Sequence, residues 1–314
     1  MTPVPRVIVT GAGGPAGVAV IRSLLPRAFV VAVDADDAAV GLSLAHKGVL
    51  LPLASDDCFV DALSGVASAT QAELVVSTVC DEMPALYAGR CELLRQGVTV
   101  WVPHPCAVQR CVDKWEFAQA TERLAGVPTP ATALGCADGV PAPWIVKPRF
   151  GRGSRDVIPA DDEDELCVAL RRVPDPVVQH RITGREFTVD ALVDRRGALV
   201  VAVPRWRLCT RGGISTHGRT FRHRQLHRAV ERLVAGVGLS GAINVQGFVD
   251  DRGGLWFTEI NPRFSGGLPL TLAAGADVVG AYVAMARGVA VDPATLDWRP
   301  GVTMMRYFED VFVG

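Results

Sequence analysis

The first hundred residues alternate between short apolar runs rich in β-branched side chains and segments of helical length. The apolar runs fall at residues 7–10, 29–33, 49–51, 74–77 and 98–101, and segments such as 15–25 and 83–95 separate them. Near-continuous apolar strands separated by helices are typical of a parallel sheet that is covered on both faces. The pattern therefore predicts a doubly wound, Rossmann-like α/β domain at the start of the chain.

The pattern changes after a proline-rich junction at residues 102–105. A helix is predicted over residues 113–124, ending before Gly126 and Pro128, and a strand is predicted over residues 144–147. A glycine-rich loop, a helix with acidic residues from Asp161 onward, and several strands with no helix between them follow in that order. This mixture predicts an α+β fold for the second region.

Composition narrows the class of protein without naming a function. Apolar residues make up 49% of the 314 residues, charged residues make up 21%, and the net charge is −1. These values indicate a compact folded protein and exclude a disordered chain or a polybasic nucleic-acid binder. The N-terminus has no long apolar segment and no stretch reaches the length of a membrane span, so we expect a cytoplasmic protein with no membrane or nucleic-acid partner.

Cysteine and lysine are distributed in an informative way. The eight cysteines are scattered without any C-x-x-C pair, so we expect reduced thiols rather than disulfides, a zinc ribbon or a redox motif. Of the 32 basic residues, 29 are arginine, and the three lysines are Lys47, Lys114 and Lys147. Because a compact ammonium and a planar guanidinium bind anions differently, each lysine is a candidate for a specific role.

A glycine-rich turn between Gly11 and Gly17 follows the first strand and opens a helix, which is the context of a dinucleotide-binding fingerprint. Asp34 stands 23 residues after Gly11, where a ribose-binding acid falls in NAD(P) enzymes. The same turn also allows close strand–helix packing in domains that bind no nucleotide. A short-chain dehydrogenase is excluded because no tyrosine is followed by lysine four positions later, but another NAD(P)-binding oxidoreductase stays open as an alternative.

The second region begins with a loop that could bind phosphate. Lys147 leaves a strand into a loop that contains Gly151, Gly153 and Ser154 together with three arginines. Such a loop can place backbone N–H groups and cations over a triphosphate. The sequence therefore predicts a phosphate-binding loop here.

An extended segment near residue 260 combines metal-binding oxygens with a cation. Alternate side chains of a strand share one face, so Glu259, Asn261 and Arg263 are predicted to point the same way. Oxygen ligands from Glu and Asn suit Mg²⁺, and an arginine beside them suits a phosphoryl group in transfer.

An arginine-rich segment, residues 204–219, lies between these two motifs. Because arginine binds carboxylate and phosphate groups in a bidentate manner, the segment is interpreted as part of an acceptor-carboxylate pocket and of the wall around the triphosphate. The candidate substrate-binding residues there and after the metal motif are Arg205, Arg211, Ser265 and Gly266. His223 and His227 have a spacing that could bind zinc, but their arginine neighbours and the lack of a third ligand indicate a solvated helix face.

The order and spacing of these motifs resemble the ATP-grasp superfamily. The matching segments are Asp113-Lys114, Lys147-Pro148 with its glycine loop, Gly184-Arg185-Glu186, Val245-Gln246 and Glu259-Ile260-Asn261-Pro262-Arg263. Within the superfamily, the chain is similar to the branch of one synthetase half of the carbamoyl-phosphate synthase large chain and of the pyrrolysine-pathway ligase. The resemblance implies a Rossmann-like pre-grasp domain over residues 1–104 and an α+β ATP-grasp domain over 105–314, with subdomains over about 128–182 and 183–314.

The resemblance also implies a nucleotide-binding role for each matching position. Lys114 and Lys147 would contact the phosphates, and the loop with Gly151, Gly153 and Ser154 would close over them. The implied adenine-binding and ribose-binding residues are Gln179, Arg181, Ile182 and Glu186. The superfamily commonly has an acid where this chain has Gln179, and this chain's phosphate loop is richer in arginine.

The resemblance implies ATP and Mg²⁺ as cofactors. Gln246, Glu259 and Asn261 would hold one or two Mg²⁺ ions, for which Mn²⁺ could substitute. Arg263 would neutralise charge on the transferred phosphoryl group, so that Arg263 and Lys147 are the implied catalytic residues.

The implied activity is ligation of a carboxylate to an amine through an acyl phosphate, with release of ADP and phosphate. The expected partners are small-molecule, amino-acid-like substrates, and a homodimer is compatible with the sequence. The chain lacks a second synthetase half, which excludes carbamoyl-phosphate synthase itself. A non-catalytic nucleotide-binding regulator stays open as a second alternative.

Overall fold

The computed structural model describes residues 4–151, 153 and 155–313, so the predicted loop residue Ser154 lies outside the described residues. The first unit is a five-stranded parallel sheet with the strand order β3-β2-β1-β4-β5. Its elements are β1 (Arg6–Thr10), α1 (Pro15–Leu24), β2 (Phe29–Asp34), α2 (Val40–Leu44), β3 (Lys47–Leu50), α3 (Phe59–Thr70), β4 (Leu74–Val76), α4 (Met83–Arg95) and β5 (Thr99–Val100). The predicted doubly wound α/β arrangement is confirmed.

Two helices connect this unit to the rest of the chain. They are α5 (Pro105–Val112) and α6 (Lys114–Ala120), and a π-helical turn (Thr121–Ala125) continues α6. The proline-rich junction of the sequence is therefore a helix start: Pro105 occupies the first turn, where its missing N–H costs nothing, and His104 accepts a hydrogen bond from the N–H of Cys106. The helix predicted over residues 113–124 is thus the second of two.

The second unit is a four-stranded antiparallel sheet with the order β6-β9-β7-β8. Its elements are β6 (Thr132–Leu134), β7 (Trp144–Pro148), β8 (Ile158–Ala160), α7 (Glu163–Arg172) and β9 (Pro176–His180). α7 begins at the predicted acidic segment, where Asp162 caps it. Three acidic residues in its first turn and two arginines in its last turn complement the helix dipole.

The third unit is a six-stranded antiparallel sheet with the order β14-β13-β10-β11-β12-β15. Its elements are β10 (Gly184–Val193), β11 (Leu199–Arg211), β12 (Ile214–Thr220), α8 (Arg224–Val237), β13 (Gly241–Asp250), β14 (Leu255–Asn261), α9 (Leu268–Ala274), α10 (Val278–Ala286) and β15 (Thr303–Met305). The strands β10 to β12 follow one another as predicted, but α8 interrupts them before β13. His223 caps α8 by accepting from the N–H of Leu226.

Both faces of the six-stranded sheet are covered. α8 packs on one face together with α5 and α6. On the other face, α9 and α10 join the sheet to α1 and to the parallel sheet in one apolar cluster. Across the described parts of the chain, no single helix is long and apolar enough to cross a membrane. α9 and α10 pass that test by length and composition only as a pair, bent by 96°.

The carboxyl edge of the parallel sheet holds a buried carboxyl group. Glu82 is 9% exposed, and its Oε2 accepts hydrogen bonds from the hydroxyls of Thr10 at the end of β1 and Ser77 just after β4. Burial raises the pKa of Glu82 to about 7, although the two hydrogen bonds act in the opposite direction. The protonated form is therefore favoured in the folded protein.

We expect Glu82→Gln to flatten the pH dependence of stability. Because the pKa of Glu82 is higher in the folded protein than in the unfolded chain, the free energy of unfolding falls as the pH rises from 4.5 to about 7. Gln keeps an oxygen for the two hydroxyls and carries no charge, so the variant should lose about 3 kcal/mol of this pH dependence. Denaturant unfolding at acidic and mildly alkaline pH measures it, with the exposed Glu122→Gln as control. An unchanged pH dependence in Glu82→Gln would contradict the prediction.

Candidate active site

A cavity of about 220 Å³ lies between the four-stranded and six-stranded sheets. One wall comes from β7 and β9, and the opposite wall comes from β10, β11, β13 and β14. The predicted site residues that line it are Lys114, Lys147, Gly151, Gly153, Gln179, Arg181, Ile182, Glu186, Gln246 and Glu259. Residues from separate motifs of the sequence thus surround one space.

Lys147 lies on β7 in the wall from the four-stranded sheet. It is 8% exposed, and its Nζ donates a 2.9 Å hydrogen bond to Oε1 of Gln179, whose Nε2 donates to Oγ1 of Thr132 at 2.9 Å. Burial lowers the pKa of Lys147 to about 8; the charge of Lys114 also lowers it, and that of Glu259 opposes the shift. Within the described residues no carboxylate lies within 4.0 Å of Nζ. A bound polyphosphate would supply the missing counter-charge.

The affinity for ATP is expected to fall as the pH rises through about 8, because only the ammonium form of Lys147 attracts phosphate. The fall should approach tenfold, roughly, for each pH unit. Gln179→Glu would place a carboxylate against Nζ and raise the pKa of Lys147, so the fall should move to higher pH. ATP binding titrated across the alkaline range measures this, with the exposed Gln225→Glu as control. A profile that is the same in wild type and Gln179→Glu would refute the assignment to Lys147.

Lys114 is the first residue of α6 and lies beside the glycine-rich loop. Its Nζ donates to the carbonyl of Gly151 at 3.0 Å. Asp113 caps α6 and binds Arg149 at 2.7 Å, which ties the helix start to the end of β7. Burial lowers the pKa of Lys114, while the charges of Glu259 and Asp113 oppose that shift. The capping pair thus places a second ammonium at the loop that the sequence assigns to phosphate.

The adenine-binding segment that the sequence predicts runs from β9 toward β10. Gln179 is buried, and its side chain is occupied by Lys147 and Thr132. The N–H of Arg181 donates to the carbonyl of Pro143 at 2.8 Å, and its guanidinium binds Asp161. These bonds hold the segment against β7 along the cavity.

Arg207 on β11 forms hydrogen bonds to two predicted site residues of the opposite wall, Glu186 and Gln246. Its Nη1 donates to Oε1 of Glu186 and, at 2.8 Å, to Oε1 of Gln246, while Nη2 donates to the carbonyl of Gly213 at 2.9 Å. Burial raises the pKa of Glu186, and Glu259 adds to the rise while Arg207 opposes it. Arg207 is thus a cation of the cavity on the wall opposite Lys147.

Glu259 and Asn261 lie on one face of β14, because Nδ2 of Asn261 donates a 2.7 Å hydrogen bond to Oε1 of Glu259. Gln246 stands opposite Glu259 in the register of β13 and β14. One carboxylate and two amide oxygens fit Mg²⁺, which takes few protein ligands and completes its shell with phosphate and water oxygens. Among the described residues no group of three or more His, Cys, Asp or Glu could hold a metal ion.

Arg263 lies beyond the end of β14, so the alternation that links Glu259 and Asn261 does not extend to it. Its Nη1 donates to the carbonyl of Phe264 at 2.9 Å. It lines a second, much smaller cavity that includes Ser77 and Trp101 of the first unit. The structure therefore places Arg263 at the contact between the parallel sheet and β14.

The four candidate substrate residues lie in different surroundings. Arg205 is 1% exposed and is bound to Asp190 at 2.6 Å and to Oγ of Ser265 at 2.9 Å. Gly266 follows in the same loop and gives its carbonyl to Arg306. Arg211 is exposed and lies over the ring of Phe308. Arg205, Ser265 and Gly266 are thus brought together, whereas Arg211 contacts the C-terminal segment.

The N-terminal glycine-rich turn is held by hydrogen bonds within the first unit. Asp34 accepts hydrogen bonds from the N–H groups of Gly13 at 2.8 Å and Asp36 at 3.1 Å. A Cβ on Gly17 would lie 2.2 Å from the carbonyl oxygen of Gly11, so glycine is required there for close strand–helix packing. This geometry supports a packing role for the turn.

Several residues of the cavity were not singled out in the sequence. Arg207 is the most important of them, and the others include Ile145, Arg155, His180, Phe248 and Thr258. Arg207 is two positions from Arg205 and therefore on the same face of β11. The two-residue spacing is visible in the sequence. Predicting Arg207 as a cavity residue also requires the register that places β11 beside Glu186 of β10.

Comparison with known proteins agrees with this geometry. Residues 172–309 match a family described as "ATP-grasp in the biosynthetic pathway with Ter operon". Among solved structures, a biotin carboxylase from Campylobacter jejuni in a β,γ-ATP complex superposes with a TM-score of 0.74 at 17% identity, covering 93% of this chain and 73% of that one.

Two other solved structures are similar to nearly the whole chain. An N5-carboxyaminoimidazole synthetase from Staphylococcus aureus complexed with ADP gives a TM-score of 0.73 at 15% identity, covering 91% of this chain and 78% of that one. An L-amino acid ligase from Bacillus licheniformis gives a TM-score of 0.71 at 16% identity, covering 96% and 78%. The C-terminal part of the chain thus matches an ATP-grasp family, and nearly the whole chain has the fold of these solved structures.

Proposed function

We propose that this protein is an ATP-dependent carboxylate–amine ligase that works through an acyl phosphate. The observation that carries the proposal is the cavity in which Lys114 and Lys147 face Glu259 between two sheets. Two ammonium groups and one carboxylate around one space are suited to a triphosphate with its divalent cation. The names of the solved relatives, which include a carboxylase, a synthetase and an amino acid ligase, support the same class of reaction.

In this proposal the nucleotide lies along the four-stranded sheet. The segment from Gln179 to Ile182 holds the base, Glu186 accepts from the ribose, and Lys147 binds the phosphates. Lys114 binds both the phosphates and the carbonyl of Gly151, so it couples the phosphate loop to the bound nucleotide. Arg207 belongs to the wall around the triphosphate because it is fixed between Glu186 and Gln246.

Glu259, Asn261 and Gln246 would hold Mg²⁺, with Mn²⁺ as a substitute. The ion supplies charge neutralisation on the phosphate oxygens, so that the γ-phosphorus is open to attack. Gln246 must then share its Oε1 between the ion and Arg207, or release Arg207 toward the phosphates.

The proposed chemistry has two steps. A carboxylate oxygen of the first substrate attacks the γ-phosphorus, the bond from that phosphorus to the β–γ bridging oxygen breaks, and ADP leaves. The amine nitrogen of the second substrate then attacks the acyl carbon, phosphate leaves, and the amine gives up a proton to solvent as the amide forms. The chain positions the reactants and neutralises charge, and Arg263 is proposed to act on the acyl phosphate.

Release of ADP tests this function. Purified protein is incubated with Mg-ATP and a panel of amino acids, singly and in pairs, and ADP is measured by a coupled assay. The proposal expects ADP release that depends on a particular pair, together with an amide product of matching mass. Binding of NADH in place of Mg-ATP would instead favour the oxidoreductase alternative at the turn of Gly11 to Gly17. Binding of Mg-ATP without turnover under any pair would favour a nucleotide-binding regulator.

A further inference from the structure

Two arginines meet beside the loop that follows the metal-binding strand. Arg205 lies in β11, and Arg306 follows β15 near the C-terminal end of the described residues. The N–H of Arg306 donates to the carbonyl of Thr216 at 2.8 Å, and its Nη2 donates to the carbonyl of Gly266. The C-terminal segment is thereby tied both to β12 and to the loop at residues 263–267.

The charges at this position do not balance. Asp190 is bound to Arg205, and it also accepts hydrogen bonds from Nδ2 of Asn244 at 3.0 Å and Oγ1 of Thr271 at 2.6 Å. In the part of the chain that the structure describes, no carboxylate lies within 4.0 Å of the Arg306 guanidinium. Burial lowers the pKa of Arg306, and the positive charge of Arg205 lowers it further. An additional anion would relieve this repulsion.

Unused hydrogen-bond donors lie at the same position. Nε of Arg205 and Nε of Arg306 are both buried, and neither has a hydrogen-bond partner among the described residues. Buried N–H groups in folded proteins nearly always find an acceptor, so two neighbouring arginines without one leave this position short of hydrogen-bond acceptors. Arg205 is 1% exposed whereas Arg306 is half-buried, so Arg306 is the arginine that a ligand can reach.

This position is connected to the cavity through the turn between β11 and β12. A Cβ on Gly266 would lie 3.8 Å from Ile214, and the preceding residue, Gly213, accepts from Arg207, which lines the cavity. A Cβ on Gly266 would lie 3.4 Å from Pro15 in the N-terminal glycine-rich turn. The parallel-sheet unit, the loop after β14 and the C-terminal segment therefore converge beside the β11–β12 turn, which contacts the cavity residue Arg207.

We propose that Arg306 binds a carboxylate of the acyl substrate, and that Arg205 is a positioning residue that holds Ser265 and adds positive charge behind it. Nη2 of Arg306 is bound to Gly266 and Nε is buried, so Nη1, which has no hydrogen-bond partner among the described residues, is the nitrogen that can donate to a carboxylate oxygen. This inference rests on the proposed ligase function and adds the residue that recognises the substrate carboxylate. It also gives the C-terminal segment a role in substrate binding.

Calorimetric titration of four probes tests the proposal. Acetate, bicarbonate, L-alanine and L-glutamate are titrated into the full chain saturated with Mg²⁺ and a non-hydrolysable ATP analogue. Wild type is expected to bind at least one probe, and Arg306→Gln should weaken that binding about tenfold or more. Arg306→Lys keeps the charge but cannot hold the carbonyl of Gly266 and present a second planar N–H group at once, so it should recover only part of the affinity. The control is Arg299→Gln, because Arg299 is also near the C-terminus and also donates to a backbone carbonyl, that of Ala273.

The outcomes distinguish the role of Arg306 from the ligase function on which it rests. Suppose that wild type binds both the ATP analogue and a probe. If Arg306→Gln then binds both with the affinities of wild type, the role of Arg306 is wrong and the ligase function stands. If wild type binds the analogue but none of the four probes, the carboxylate site is wrong. If wild type fails to bind the analogue, both the nucleotide site and this inference are overturned. Melting temperatures of all variants, with and without the analogue, verify that each is folded.

Discussion

Lys147→Arg is expected to lower kcat/KM for ATP by about 100-fold or more. Lys147 is buried in β7, and its Nζ is held at 2.9 Å from Oε1 of Gln179. A guanidinium is larger and planar, so in this wall it must displace Gln179 or extend into the space for the phosphates. It also remains charged at every accessible pH, which removes the alkaline dependence expected of the wild type. Steady-state kinetics, or nucleotide binding if turnover is too slow, measures the loss.

Lys47→Arg is the matched control for this substitution. Lys47 is exposed at the start of β3, an edge strand of the parallel sheet, and belongs to no motif of the cavity. The same chemical change there should leave ATP binding and stability close to wild type. If Lys147→Arg kept activity within a few-fold of wild type, the compact ammonium would not be required. The interpretation of the rare lysines would then fail.

Glu259→Gln is expected to lower kcat by about 1000-fold or more, because it removes the carboxylate from the proposed Mg²⁺ site. It also removes the negative charge that supports the ammonium forms of Lys114 and Lys147, so the pKa of both lysines should fall further. Binding of Mn²⁺ in the presence of an ATP analogue, followed by electron paramagnetic resonance, should weaken in parallel. This second measurement separates loss of the metal ion from a general loss of structure.

The exposed Glu231→Gln on α8 serves as control and should bind Mn²⁺ and nucleotide as wild type does. Normal Mn²⁺ binding in Glu259→Gln would place the metal elsewhere. A variant that binds Mn²⁺ normally and also turns over normally would remove Glu259 from the mechanism.

The elements of the first unit could be predicted from the sequence because each apolar strand is buried on both faces. Such strands appear as continuous runs, and the helices between them are long enough to cross the sheet. The sequence does not predict α5 because Pro103 and Pro105 are interpreted as a junction, although Pro105 in the first turn is a helix-start signal. The helix predicted over residues 113–124 is longer than α6, which ends at Ala120. The remaining residues form a π-helical turn, which apolar periodicity does not distinguish from an α-helix.

The candidate site also has a part that the sequence predicts and a part that it does not. Ten of the predicted residues line the large cavity, since their motifs lie on strands or loops whose positions follow from chain order. Arg263 does not line it, because β14 ends at Asn261 and the period of two stops with the strand. Arg205 was proposed to bind substrate directly, but its guanidinium is buried against Asp190 and Ser265. Its neighbour Arg207 is the one that faces the cavity.

The order of the motifs along the chain, the presence of lysine where nearly every other cation is arginine, and the alternation of apolar runs with helices are local properties. They were sufficient to indicate the ATP-grasp fold and to single out Lys114 and Lys147 as candidate site residues. Strand register and side-chain burial depend on contacts between residues far apart in the chain, and no local pattern encodes them. Those contacts placed Arg207 between Glu186 and Gln246, lowered the pKa of Lys147, and brought Arg306 from the end of the chain to Gly266. The three lysines of the sequence are thus resolved into two that line the large cavity and one that lies on an exposed edge strand.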